Sequence, residues 1–172
     1  NKKLQGESVM RYHNITHDDM LNGQGLRTVL WVSGCEHHCD ECQNPMTWDI
    51  NGGLLFDEAA ETELFQEAAK GYIEGITFSG GDPLHHKNRD EITRLAKKFK
   101  QRFPKKDLWM YTGYKWEDIK DLEVMKYTDV LIDGRYEKEL RDVQLHWRGS
   151  SNQRVIDVQR SLESGEAVLY DD

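Results

Sequence analysis

The chain predicts an α/β fold built on a mostly parallel sheet, and three observations carry that expectation. Short β-branched and aromatic runs alternate with helical stripes, two of the runs end in glycine turns, and three cysteines cluster in the loop after the first run. Strands separated by helical segments imply right-handed crossovers and parallel neighbours. With 172 residues, one domain over 1–172 with a core of its own is the simplest division.

Thr28 to Ser33 reads as a buried strand that stops at Gly34 and leads into the cysteine loop. Asp57 suits the N-cap of a helix whose apolar residues Ala60, Leu64, Phe65, Ala68, Ala69 and Tyr72 recur at helical spacing. Ile76-Thr77-Phe78 is the second strand and ends at Ser79-Gly80-Gly81. Asn88 followed by Glu91 has the form of a capping box, and Ile92, Leu95, Ala96, Phe99 and Phe103 form a stripe stopped by Pro104. Leu108 to Tyr111 is the third strand, a helix from about Trp116 to Met125 follows, and Val130-Leu131-Ile132 is the fourth strand. Arg154 to Val158 and Ala167 to Tyr170 are further strand candidates, and Trp31, Trp109 and Trp116 read as core or edge aromatics.

Composition narrows the function. Hydrophobic residues make up 37% and charged residues 31%, the balance of a soluble globular protein. The longest apolar run, Val29-Leu30-Trp31-Val32, is far short of a membrane span, and Lys2, Lys3, Gln5 and Glu7 leave no room for a signal peptide's apolar stretch, so the expected location is the cytoplasm. The net charge of -8 argues against a general nucleic-acid binder. The basic cluster of Lys97, Lys98, Lys100, Arg102, Lys105 and Lys106 reads as the solvated face of a helix.

The only cysteines are Cys35, Cys39 and Cys42. An odd number packed this tightly is a metal site rather than a disulfide framework. Two chemistries fit the spacing. One is a four-iron cluster, whose full protein complement is four thiolates, so that three leave one iron open to an outside ligand. The other is a closed tetrahedral zinc site with His37 or His38 as the fourth ligand, a scaffold for an interaction module. Turning either imidazole back from inside so short a loop strains its backbone, which favours the cluster. One βα unit later, Thr77-Phe78-Ser79-Gly80-Gly81-Asp82-Pro83-Leu84 places two glycines after a strand, where backbone can approach a small polar molecule. Glycine turns of this kind are common, but both elements fall at carboxyl ends of strands, where barrels and open α/β sheets gather their chemistry.

The cysteine loop and the Gly80-Gly81-Asp82 turn resemble the radical S-adenosylmethionine superfamily, whose members bind a four-iron cluster on this spacing. Asn22-Gly23-Gln24-Gly25-Leu26-Arg27, Asn44-Pro45, Trp48, Asp133-Gly134 and Arg148-Gly149-Ser150-Ser151-Asn152-Gln153-Arg154 narrow the resemblance to the glycyl-radical-enzyme activases, those of the anaerobic ribonucleoside-triphosphate reductase. The resemblance implies an incomplete TIM-type βα barrel with Cys35, Cys39 and Cys42 holding one 4Fe-4S cluster. It implies that the open iron chelates the amino and carboxylate groups of S-adenosylmethionine. Ser79, Gly80, Gly81 and Asp82 would hold the amino end, and Glu41 and Gln43, flanking Cys42, would line the adenosyl side. An external one-electron donor such as a flavodoxin would drive cleavage to methionine and a 5'-deoxyadenosyl radical, which would take a hydrogen from a glycine of the partner reductase. Another glycyl-radical enzyme, such as pyruvate formate-lyase, is the alternative partner. No side chain is assigned as a general acid or base, because the cofactors carry the chemistry.

Two positions depart from the superfamily's pattern. Glu41 stands where many members carry an aromatic residue against adenine, which leaves Tyr111 or Tyr114 as candidates for stacking. Asp82 stands for the commoner glutamate, one methylene shorter, so its contact with the amino group is direct or through water. Arg148 and Arg154 either face the partner or substrate carboxylate, or pair with acids such as Asp157. His85 and His86 read as exposed loop residues.

Overall fold

The computed structural model describes residues 10–35 and 49–171. Cys39, Cys42, Glu41 and Gln43 lie outside the described residues, as do His37, His38, Asn44, Pro45 and Trp48. Among the described residues, one sheet contains strands β1 (Arg11–Asp19), β2 (Arg27–Val32), β3 (Leu54–Leu55), β4 (Gly75–Gly80), β5 (Asp107–Tyr111), β6 (Val130–Asp133) and β7 (Arg154–Asp157). Their spatial order is β3-β1-β2-β4-β5-β6-β7. The centre, β2-β4-β5-β6, is parallel, whereas β1, β3 and β7 pair antiparallel with their neighbours. The sheet is therefore mixed and open, with β3 and β7 at its edges.

Among the described residues four helices accompany it: α1 (Glu58–Ala68), α2 (Arg89–Arg102), α3 (Trp116–Ile119) and α4 (Val158–Ser164). None of them is long and apolar enough to cross a membrane. Alternation along the strands sorts the side chains into two faces. Leu30, Val32, Ile76, Phe78, Leu108, Met110 and Leu131 face the helices and pack with Leu64, Phe65, Leu95 and Phe99 in the main core. Each such side chain removed from water contributes about 1.5–3 kcal/mol. The intervening residues Trp109, Val130 and Ile132 form a second cluster with Tyr111, Trp147, Val155 and Tyr170 on the other face. That face carries the cavity described below.

Several expected elements differ. Asp57 does cap α1, accepting from the Ala60 amide at 2.9 Å, but the helix stops at Ala68 and Tyr72 is exposed. Asn88 occupies the N-cap of α2 without making a cap bond, so there is no capping box. The helix expected from Trp116 to Met125 breaks at Leu122, which is extended, and resumes as a 3-10 turn over Glu123–Tyr127. Beyond the break, Gln159 Nε2 donates to the carbonyls of Met125 and Thr128 at 3.0 and 2.8 Å and so satisfies the end of the 3-10 turn. β7 runs antiparallel because the segment from β6 contains only the 3-10 turn Lys138–Leu140, and a parallel return needs a longer crossover element. Ala167 to Tyr170 contributes an isolated bridge, Leu169 to Ile156, rather than a strand.

Candidate functional site

The carboxyl ends of β2 and β4 are stitched together by backbone. Gly81 N donates to Val32 O at 2.8 Å and Asp82 N donates to Gly34 O at 2.7 Å. Gly80 has φ +108, and a β-carbon there would lie 2.4 Å from both N and O of Val32. Only glycine allows this approach. Cys35, one residue beyond Gly34, is thereby held against the glycine turn.

Asp82 is 1% exposed and ties this pair of strands to β5. Its carboxylate accepts from Thr112 Oγ1 at 2.8 Å, from Gly113 N at 2.9 Å and from Leu84 N at 2.9 Å. Its oxygens are thus directed at the β5 turn, and the residue does not line the cavity. Asn88 completes the brace. Fully buried, it donates from Nδ2 to Ser33 O at 2.9 Å and to Asp82 O at 3.1 Å, bridging the residues that introduce the two loops. Sequence reasoning missed this role because Asn88 satisfies the local rule for a helix cap. The available signal was its position five residues after Pro83, close behind Gly80-Gly81-Asp82.

A cavity of about 770 Å³ opens on this assembly. Cys35, half-buried, lines it with Ser79 and Gly80 of β4 and Gly81 after it, Tyr111 of β5 with Thr112 and Gly113 after it, and Gly134 after β6. Its floor is the face of the sheet turned away from the helices, where Trp31 Nε1 donates to Thr16 Oγ1. Its far wall is the segment between β6 and β7, through Arg135, Tyr136, Arg148, Gly149 and Gln153. The Gln153 amide organises that wall by accepting from Gly149 N and Ser150 N and donating to Gly134 O. On the same face, toward the amino ends of the strands, the buried Arg27 guanidinium donates to Thr77 Oγ1 and Ile76 O, pairs with Asp107 at 2.6 Å and lies 5.3 Å from the Trp109 ring. Burial lowers the Arg27 pKa, and the Asp107 carboxylate opposes the shift.

Burial, seconded by the Asp19 carboxylate and opposed by Arg27, holds the Tyr111 hydroxyl protonated far above its ordinary range. It is a neutral part of the wall at physiological pH. Tyr114 instead packs against the main core with the Arg89 guanidinium over its ring, so of the two stacking candidates only Tyr111 lines the cavity. Arg154 is structural: it pairs with Asp133 at 2.6 Å and Glu117 at 2.7 Å, which raise its pKa, while Asp157 caps α4. Arg148 lines the cavity and donates from Nη1 to Gln153 O at 2.8 Å, and its Nε is buried with no hydrogen-bond partner. His86 is exposed as expected but His85 is buried, stacked on His86 at 4.6 Å. Neither histidine lines the cavity.

The described part of the site fits a cluster with a small polar ligand. A cysteine faces the cavity and glycines bring bare backbone to it.

Comparison with known proteins agrees. The family described as a 4Fe-4S single cluster domain matches residues 21–156. The anaerobic ribonucleoside-triphosphate reductase-activating protein of Enterobacteria phage T4 is 51% identical over 146 residues, covering 85% of this chain and 93% of its own length. Its namesake from Escherichia coli K12 is 41% identical over 150 residues, 85% of this chain and 97% of its own, and that of Pasteurella multocida is 41% identical over 152 residues, 85% and 96%. By these measures the chain belongs to the family of anaerobic ribonucleoside-triphosphate reductase-activating proteins, built on a 4Fe-4S cluster domain.

Proposed function

We propose that the chain is a single radical S-adenosylmethionine domain, an incomplete βα barrel that activates the anaerobic ribonucleoside-triphosphate reductase in the cytoplasm by installing a glycyl radical. When bound, a 4Fe-4S cluster would supply one electron, received from an external donor such as a flavodoxin, for cleaving S-adenosylmethionine into methionine and the 5'-deoxyadenosyl radical that takes hydrogen from the partner's glycine. The observation that carries the reading is the placement of Cys35 beside the Gly80-Gly81 backbone in one cavity.

Cys35, Cys39 and Cys42 would hold the cluster, leaving one iron for the cofactor. Ser79, Gly80 and Gly81 would receive its amino end with backbone groups. Asp82 would act on the same end by fixing the turn, since its carboxylate is engaged by Thr112, Gly113 and Leu84. Glu41 and Gln43 would contact the adenosyl side. Trp31, Tyr111 and Trp147 line the cavity with large rings and exclude water, which is the protein's main task when the chemistry depends on positioning. The neutral Tyr111 hydroxyl keeps a negative charge away from that wall.

Anaerobic reconstitution with iron and sulfide tests the reading. It should give a brown protein whose reduced paramagnetic resonance spectrum changes with S-adenosylmethionine, and a glycyl radical when the reductase is added. A colourless protein holding zinc, or a radical formed on a lyase and not on the reductase, would overturn it.

A further inference from the structure

The mouth of the cavity has two apolar lips. Leu21 on one side and Val143 on the other line it, yet they are 80% and 89% exposed. Met20, beside Leu21, is 70% exposed. Single exposed apolar residues need no explanation, but several converging on one opening mark a contact surface.

Both lips are fixed by hydrogen bonds rather than left loose. On the first, Asp19 Oδ1 accepts from Leu21 N at 2.8 Å and Asn22 N at 3.0 Å, closing the turn after β1. On the second, Asp142 Oδ1 accepts from Gln144 N at 2.9 Å, while Arg141 bridges to Ser150 and Asp142 N donates to Gly149 O. Among the described residues, the two non-glycine residues with positive φ, Asp18 at 53° and Trp147 at 63°, fall one on each lip. For a residue as bulky as tryptophan that conformation is strained, and strain persists where the surroundings impose it. The fold thus holds apolar side chains in water at a defined spacing around the cavity.

Inside this rim the cavity wall is polar, with Arg148 and Gln153 beside the backbone of Gly80, Gly81 and Gly149. An apolar rim over a polar, glycine-lined cavity complements an extended segment: apolar side chains meet the lips and main-chain polar groups meet the wall. We propose that Leu21 and Val143, with Met20, grip an extended, apolar, glycine-bearing segment of the partner protein as it enters the cavity. This rests on the proposed activase function, which requires a segment of another protein to reach the cavity past these residues.

The test compares the reconstituted wild type with the double variant Leu21→Ser/Val143→Ser, with Tyr72→Ser as an exposed control at the amino ends of the strands. Cleavage of S-adenosylmethionine by a chemical reductant, without partner, should be unchanged in all three. Affinity for the reductase's catalytic subunit should fall about tenfold in the double variant only, the loss expected when interface anchors are truncated. Its glycyl-radical yield should fall at limiting reductase and recover at excess. Unchanged affinity, loss of partner-free cleavage in the double variant, or a wild-type dimer that the double variant abolishes would overturn the proposal. Absence of partner-free cleavage in the wild type would instead refute the activase reading, while the affinity measurement still judges the lips.

Discussion

At Asn88 one side-chain amide holds two loops in register. Its Nδ2 reaches the carbonyls of Ser33 and Asp82, both buried residues that adjoin the groups expected to meet the cofactor. Removing a buried donor leaves acceptors unsatisfied, at about 1–3 kcal/mol. Asn88→Ala is therefore expected to lower unfolding stability by about 2 kcal/mol, read from the urea midpoint, because Ser33 O loses its donor and Asp82 O keeps only the His85 amide. A change of a few tenths would show that water replaces the amide without loss. The cysteines and the glycine turn were legible in the sequence because their meaning lies in spacing and in the chirality of the backbone. Asn88 and the engaged carboxylate of Asp82 were not, because their partners are brought together only by the β2–β4 and β4–β5 pairings.

Between helices, α1 and α2 are clamped by charge. Glu61 of α1 accepts from Arg94 at 2.6 Å and from Lys98, and Arg94 also pairs with Glu91 at 2.6 Å. Part of the basic cluster read as a solvated face is thus an interhelical contact; Lys100 likewise pairs with Asp129. Burial pushes the Glu61 carboxyl up, but hydrogen bonds and charge from Arg94 and Lys98 outweigh it and leave the pKa below its ordinary 4.5. A carboxylate depressed in the folded state contributes stability above its unfolded pKa and loses it as pH falls through the folded value. Glu61→Gln should cost about 1 kcal/mol at pH 7, since both partners are substantially exposed, and the gap from wild type should close below about pH 4.5. Urea titrations at pH 7 and pH 3 check this, and a gap that is equal at both would assign the effect to packing. Elements with strong local patterns, α2 and the four parallel strands, were readable from sequence. β1 was not: Ile15 is its only buried residue, so pairing with β2 and β3 holds the strand rather than its own hydrophobic alternation.

Across the whole molecule, the helices lie against one face of the sheet and the cavity lies on the other, so the main core and the site are built from alternate residues of the same strands. The alternation of strands and helices made the parallel centre legible. The antiparallel edges depend on which connections lack a crossover helix, and no local pattern announces that. This division bears on whether the cysteine loop is a scaffold or a reaction centre. A zinc-type scaffold supplies folding energy, and its domain melts when a ligand is removed. Here the core under Cys35 consists of fully buried residues such as Leu30, Val32, Ile76 and Phe78, and Ser33 and Gly34 are anchored to Arg11, Gly52 and Asp82 by hydrogen bonds independent of any thiolate. The metal-free wild type should accordingly unfold cooperatively, and Cys35→Ala should stay within about 1 kcal/mol of it, the range for a substitution outside the core. The same variant should fail to retain iron or develop the brown colour on reconstitution. Calorimetry and iron analysis of one preparation decide the matter. Unfolding of the variant would make the loop a scaffold, whereas a stable fold without iron would make it a centre carried by a fold that does not need it.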